Sequence, residues 1–182
     1  MEKIKILIAQ HKEAEVFHNE VYIPIHVGKA LSKTELGILC DDTGDNISHL
    51  NPYFCELTAQ YWAWKNMHDV EYIGLCHYRR YFQTEFTMEN VEQLMDGADI
   101  VLAKSIFFSE NLYSNLSRDL VPEDILAFFL YMKGRFQNDQ DVINFLINCN
   151  HFNPCNMFVC KKSLFDEFCQ WQFSILFDLF EI

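Results

Sequence analysis

Positive charge is what this sequence has least of. Fourteen lysines and arginines stand against 26 aspartates and glutamates, a formal net charge of −12 with the histidines neutral. A field of that sign repels phosphate backbones and gives an anionic bilayer no polybasic anchor, which excludes nucleic acid and membrane surfaces as partners held by bulk charge. Any phosphate-bearing ligand must then be met by a local cluster of cations. Long apolar runs are missing too. None approaches the ~20 residues of a membrane span, and the apolar part of the opening MEKIKILIAQHK is too short for a signal peptide. The seven cysteines contain no C-x-x-C pair and are odd in number, which fits free thiols in a reducing compartment better than a disulfide framework. A soluble, cytoplasmic protein without an integral membrane segment is expected. There is also no lysine-bearing phosphate loop, G-x-G-x-x-G, H-E-x-x-H or G-x-S-x-G. Those absences remove P-loop hydrolysis, the usual dinucleotide fingerprint, zincin proteolysis and the hydrolase elbow as motif-based readings.

What is present is enough for a packed core. The 182 residues are half hydrophobic and 15% aromatic, which suits one domain and excludes disorder. Residues 3–9 (KIKILIA) read as a buried strand ending at Gln10, His11 and Lys12, and a looser segment at 21–27 runs into Gly28. After the turn-rich 41–46, a helix is expected with Asn51 as N-cap, Pro52 in its first turn and apolar positions at Phe54, Leu57, Tyr61, Trp64 and Met67. Residues 71–76 (EYIGLC), 99–103 (DIVLA) and 156–160 (NMFVC) read as further strands. Helices are expected at 88–95, 122–136 and 139–147, with the apolar run 125–132 as core. Ser163 and Asp166 have capping-box spacing for a last helix, whose apolar end at Ile182 suggests self-association or a further segment beyond it. Alternating strands and helices argue for an α/β fold with a mostly parallel sheet flanked by helices.

Several groups of residues can carry chemistry. His77-Tyr78-Arg79-Arg80-Tyr81-Phe82 follows a strand, where open α/β sheets meet ligands. Two guanidiniums there can grip a pyrophosphate, His77 can bond a phosphate or a sugar hydroxyl, and a tyrosine can stack on a ring. The competing reading is a surface arginine pair answering nearby carboxylates. Asp41-Asp42-Thr43-Gly44-Asp45-Asn46 brings three carboxylates to one turn; a solvated turn is favoured over a cation site, and a contact to a sugar is a third option. Glu56 reads equally as a partner for an arginine or sugar and as a half-exposed helix glutamate. His151, Asn153 and Asn156 bring a histidine and two amides to a strand entrance, which suits sugar hydroxyls. Cys76 abuts His77, but neighbouring strand residues point to opposite faces, which discounts a thiol–imidazole pair.

The segments DNISHLNPYFCELTAQYWAWKN (45–66), EYIGLCHYRRYF (71–82) and FNPCNMFVCKKSLFDEFCQWQFSIL (152–176) resemble a bacterial family catalogued as a domain of unknown function. KIKILIAQHK and YIPIHVG (22–28) are similar to it as well. Members are commonly labelled capsular or exopolysaccharide biosynthesis glycosyltransferases and grouped with the GT-A nucleotide-diphospho-sugar transferases. The resemblance implies a GT-A-like Rossmann-type fold and hexosyl transfer from a nucleotide-diphospho-sugar to a glycan or lipid-linked acceptor. Capsule, exopolysaccharide or lipopolysaccharide synthesis is the implied setting, at the inner face of the membrane through partners or the acceptor. The alternative is a non-catalytic nucleotide-sugar or glycan-binding module. GT-A relatives carry an Asp-x-Asp that holds a divalent metal. Here the matching strand ends in His77-Tyr78-Arg79-Arg80, so manganese or magnesium stays open and the arginines are expected to neutralise the diphosphate. The implied donor-binding set is His11, Asn46, Tyr78, Arg79, Arg80, Lys104 and Asn156, and the acceptor-binding set is His151 and Asn153. Asp45, Glu56 and His77 form the catalytic set, the two carboxylates as base candidates. The family usually continues past the WQFSIL helix, so a further segment beyond residue 182 is expected; if it contributes to the acceptor site, residues 1–182 alone would bind donor and transfer nothing.

Overall fold

A computed structural model describes residues 2–181. In chain order the elements are β1 (Glu2–Gln10), β2 (Tyr22–His26), β3 (Leu39–Cys40), α1 (Asn51–Phe54), α2 (Leu57–Asn66), β4 (Val70–His77), α3 (Val91–Met95) and β5 (Ile100–Leu102). They continue as β6 (Ile106–Phe107), α4 (Leu112–Asp119), α5 (Pro122–Arg135), α6 (Gln140–Asn148), β7 (His151–Phe152), β8 (Phe158–Lys161) and α7 (Lys162–Phe180). The chain divides into two compact units, Met1–Ala103 with Cys155–Ser174, and Lys104–Pro154 with Ile175–Ile182.

The first unit is built on a six-stranded sheet of order β3-β2-β1-β4-β8-β5. The first four strands run parallel, and β8 lies antiparallel between β4 and β5. This is the α/β fold with a mostly parallel sheet that the sequence implied. β1 reads as a continuous apolar run because both of its faces are covered. Ile4, Ile6 and Ile8 are fully buried on one face with Tyr22 and Tyr72, while Leu7 and Ala9 are buried on the other. The register sets Ala9 opposite His77 and Gln10 opposite His26, so the C-terminal ends of β1, β2 and β4 finish side by side. Because β8 runs the other way, its N-terminal end lies near the C-terminal end of β4, with Phe158 opposite Leu75. Gly74 stands where these strands crowd. A Cβ there would meet Phe158 O at 2.8 Å and Val159 Cγ2 at 2.9 Å.

Three local expectations are corrected. Residues 51–66 are not one helix capped by Asn51: Asn51 is already helical, and the chain breaks at Cys55 with φ 48 and ψ −129. The Asn51 Nδ2 instead donates to Cys55 O and to Thr58 Oγ1 across that break. The last helix starts at Lys162, which leaves Ser163 inside it, and Asp166 pairs with Lys162 rather than closing a capping box. In the second unit, Ile125 and Met132 are buried, but Leu126 and Leu130 are 46% and 59% exposed, so only the two ends of the 125–132 run are core. That unit carries the β6–β7 ladder and α4 to α6. Asn111 caps α4, and the Asp139 carboxylate accepts from two backbone N–H groups at the start of α6.

All seven cysteines are free thiols. Burial pushes Cys76, Cys160 and Cys169 up to about 12. Among the described residues no helix is long and apolar enough to cross a membrane.

Gly74→Val should overpack the β1–β4–β8 junction and cost about 1–3 kcal/mol, read as a lower urea midpoint at an unchanged slope. The buried thiols set a pH limit as well. The unfolded chain releases these protons from the ordinary value of 9.0, and the folded chain holds them to about 12. Folding stability should therefore fall as pH rises through that window, because the unfolded state binds fewer protons there. Equilibrium unfolding as a function of pH checks this, and serine replacing all three cysteines should flatten the fall.

Candidate functional site

A cleft of about 260 Å³ opens where β1 and β4 end, lined by His11, Glu56, His77, Tyr78, Arg79 and Arg80, together with Ala9, Val27, Asn51 and Cys55. Six of the residues singled out in the sequence thus share one wall-to-wall site within the first unit. Each is aimed by the local backbone. Tyr78 N donates to Ala9 O, extending the β1–β4 ladder one step past the strand. His77 N donates to Arg80 O and Arg80 N donates to His77 O, at 3.2 and 2.9 Å. That reciprocal pair closes a tight turn with Tyr78 and Arg79 at its tip, and leaves both guanidiniums exposed to solvent at the cleft.

The Tyr78 ring organises the cations. The Arg79 guanidinium carbon lies 4.9 Å from the ring centroid and Lys12 Nζ 5.9 Å, while His11 meets the ring edge-on at 5.4 Å. In a chain of net charge −12, this corner gathers two arginines, a lysine and two histidines. Such a local concentration of donors is what a phosphate-bearing ligand needs.

His77 is held from below. Its Nε2 hydrogen-bonds the carbonyl oxygen of Cys155. Cys155 and Asn156 are both left-handed, with φ of 69 and 48, a conformation costly for most side chains and tolerated best by Asn. The Asn156 Nδ2 donates to Gln60 Oε1 at 3.2 Å, and Gln60 Nε2 donates to Gln172 Oε1 at 2.7 Å. Asn156 is therefore engaged with α2 and does not line the cleft.

The other candidates lie elsewhere. The Asp45 carboxylate accepts from the Tyr61 hydroxyl, and Asn46 bridges Gly44 O and Ser48 N within its own turn. Neither lines the cleft. Asp41, read with them as part of a solvated turn, is instead fully buried. Its carboxylate accepts from Gly28 N, Lys29 N and the Ser48 hydroxyl, so it ties β2, β3 and the following turn together. Gly28 has φ 70, and a Cβ there would lie 2.6 Å from the Asn51 side chain, so this position needs glycine for both backbone and space. Lys104, His151 and Asn153 belong to the second unit. There Lys104 is exposed, the His151 ring stacks on Phe107 at 5.0 Å, and Asn153 Nδ2 donates to Ser105 Oγ.

Sequence reasoning missed Asn51 and Cys55 as parts of this site. Asn51 was legible only as a helix cap. Cys55 enters the lining through a backbone break that no residue-type signal announces. Lys12 was visible next to His11, but its approach to Tyr78 is a tertiary fact.

The GT-A resemblance implies a divalent metal at the end of β4. Here β4 runs into an imidazole, a phenol and two guanidiniums, and Glu56 is the one carboxylate in the lining. Among the described residues no three His, Cys, Asp or Glu side chains cluster to hold a metal ion. Hard cations require several oxygen ligands, so this donor set does not fit one.

Residues 5–182 match the protein family described as Domain of unknown function (DUF4422). No curated protein matches the chain. Among solved structures, the chain is similar to one described as the apo structure of the bifunctional glycosyltransferase WbbM, with a TM-score of 0.85 and 31% sequence identity. That likeness covers 98% of this chain and 37% of the other, so the present chain spans little more than a third of that protein.

Asp41→Ala should leave two backbone N–H groups and a hydroxyl without their buried acceptor, at a cost of about 2–4 kcal/mol. Chemical denaturation measures it, and a loss within about 0.5 kcal/mol of zero, the range of an ordinary surface substitution, would refute the structural role.

Proposed function

The chain belongs to the DUF4422 family, and from that premise we propose that it is a glycosyltransferase moving a sugar from a nucleotide-diphospho-sugar to a glycan or lipid-linked acceptor. The observation that carries the reading is the cationic cleft at the ends of β1 and β4, in a protein otherwise dominated by carboxylates. The likeness to a glycosyltransferase over nearly the whole chain supports it.

In the proposed reaction Arg79 and Arg80 grip the diphosphate. The acceptor hydroxyl oxygen attacks the anomeric carbon while the bond from that carbon to the phosphate oxygen breaks. The nucleoside diphosphate leaves with the electron pair, and the guanidiniums are already in place for its growing charge. The anomeric carbon passes through an oxocarbenium-like state. The hydroxyl proton goes to a base in the cleft, and Glu56 and His77 are the lining groups able to accept it. Arginines replace a metal in this scheme, and no step requires one. The parallel β3-β2-β1-β4 run followed by a reversed β8 supports placing the fold with the GT-A transferases. Capsule, exopolysaccharide or lipopolysaccharide assembly is the proposed setting, with hexosyl donors, at the inner membrane face through partners or the acceptor. A binding module without turnover is the second reading, favoured by the sparse carboxylates of the cleft.

A thermal-shift panel of UDP-, GDP- and dTDP-sugars, each with and without manganese, tests the reading. One donor should raise the melting temperature by the same amount with or without the metal. Arg79→Ala should weaken that donor at least about tenfold, or ~1.4 kcal/mol, by calorimetric titration. Donor binding unchanged by the substitution would remove the phosphate clamp, and binding without any transfer, in a protein that includes whatever follows residue 182, would establish the second reading.

A further inference from the structure

We propose that His77 is the proton acceptor of the cleft, and that a chain of amides (Gln172, the buried Gln60 and Asn156) sets it for that task by fixing its tautomer through the Cys155 carbonyl. The proposal deepens the transferase reading and rests on it for the identity of the reaction.

A carbonyl oxygen can only accept, so the Nε2···Cys155 O hydrogen bond requires the proton to sit on Nε2. In the neutral ring Nδ1 is then the free lone pair. Among the described residues Nδ1 makes no hydrogen bond, and His77 lines the cleft beside Arg79 and Arg80. The ring is thus committed on one side and basic on the other, the arrangement that lets an imidazole take a proton without reorienting. Glu56, the other group able to accept, has no such support. Among the described residues its carboxylate forms no hydrogen bond or ion pair, so nothing fixes its direction.

The Cys155 carbonyl does not reach His77 by default. It is delivered by two consecutive left-handed residues just before β8, an arrangement that persists only when its surroundings hold it. The holding contact is Asn156 Nδ2 to Gln60 Oε1. Gln60 is 1% exposed, and its own amide is oriented because Nε2 donates to Gln172 Oε1. If that amide turned over, it would present two donors to one another at Asn156 and two acceptors at Gln172. The amides therefore hold one another, the Cys155 carbonyl is kept against the ring, and its demand for a donor puts the proton on Nε2 of His77. Gln60, Asn156 and Gln172 are positioning residues; His77 alone would touch the reacting hydroxyl. In the step, the acceptor O–H bond breaks and its proton moves to Nδ1. The oxygen forms the new bond to the anomeric carbon, and the nucleoside diphosphate departs with the electrons of the old one.

The tautomer can be read directly in the unmodified, isotope-labelled protein by long-range proton–nitrogen NMR of the His77 ring, under conditions where imidazole is neutral. The expected pattern is a protonated Nε2 and an unprotonated Nδ1; the opposite tautomer overturns the proposal. Two variants read the consequence. His77→Ala should lower kcat about 100-fold, within the usual range for a general base, while donor Kd by calorimetry changes less than about twofold. Asn156→Gly keeps the left-handed turn but removes the amide link. It should give a mixture of His77 tautomers and lower kcat about tenfold, a smaller loss than deleting the base itself. A rise in donor Kd at unchanged kcat in His77→Ala would make His77 a donor-binding group and overturn the base role. Absence of turnover in the parent protein would overturn the transferase reading and the base role with it. The parent's ring spectrum, which needs no activity, separates that failure from a failure of the amide chain.

Discussion

The antiparallel pairing of β8 with β4 is the constraint on which the rest of the site depends. A sheet made only of parallel strands would bring strand C-termini together at one edge and send every strand entrance to the other. Reversing one strand brings the entrance of β8 to the exit of β4, so Cys155 and Asn156 arrive beside His77. Gly74 permits the approach, since its hydrogen occupies the space a side chain would take from the Phe158 carbonyl and the Val159 methyl. Backbone proximity, secured in the core, is thereby converted into side-chain orientation at the surface.

A second theme is how an acidic chain builds a cationic corner. Apart from Glu56 in the cleft wall, the carboxylates of the neighbouring turn are taken up by other work. Asp41 is buried against two N–H groups and a hydroxyl, and Asp45 engages Tyr61. Arg79 and Lys12, by contrast, lie over Tyr78, and among the described residues neither is neutralised by an ion pair. An aromatic face holds a guanidinium in place while leaving its N–H fork available to a ligand, which a carboxylate would occupy.

Much of the frame was legible in the sequence, because β1 and β4 are apolar runs that end in polar groups and α5 begins at a proline. The position of His77 to Arg80 past β4 was enough to bring six candidate residues into one cleft. What escaped was tertiary in origin. The break at Cys55 hides inside a sound helical periodicity, since one left-handed residue is invisible to spacing. Ser163 and Asp166 keep capping-box spacing, yet the chain is already helical at Lys162 because β8 leads directly into α7. Leu126 and Leu130 read as core because hydrophobicity alone does not say which face of a helix is covered. Asn156 was read as a sugar contact, where an amide pointing inward to Gln60 looks the same on the page as one pointing outward.

The His77–Cys155 bond joins residues 78 apart in sequence. During synthesis from the N-terminus, β1, β2 and β4 can pair long before residue 155 leaves the ribosome, because their contacts close with shorter loops. The nascent sheet would then carry the arginine turn on its exposed β4 edge with the imidazole unset, until β8 docks alongside and covers that edge. Binding competence and catalytic alignment would in this way be acquired at different moments in the life of the chain, the second only after β8 has been made.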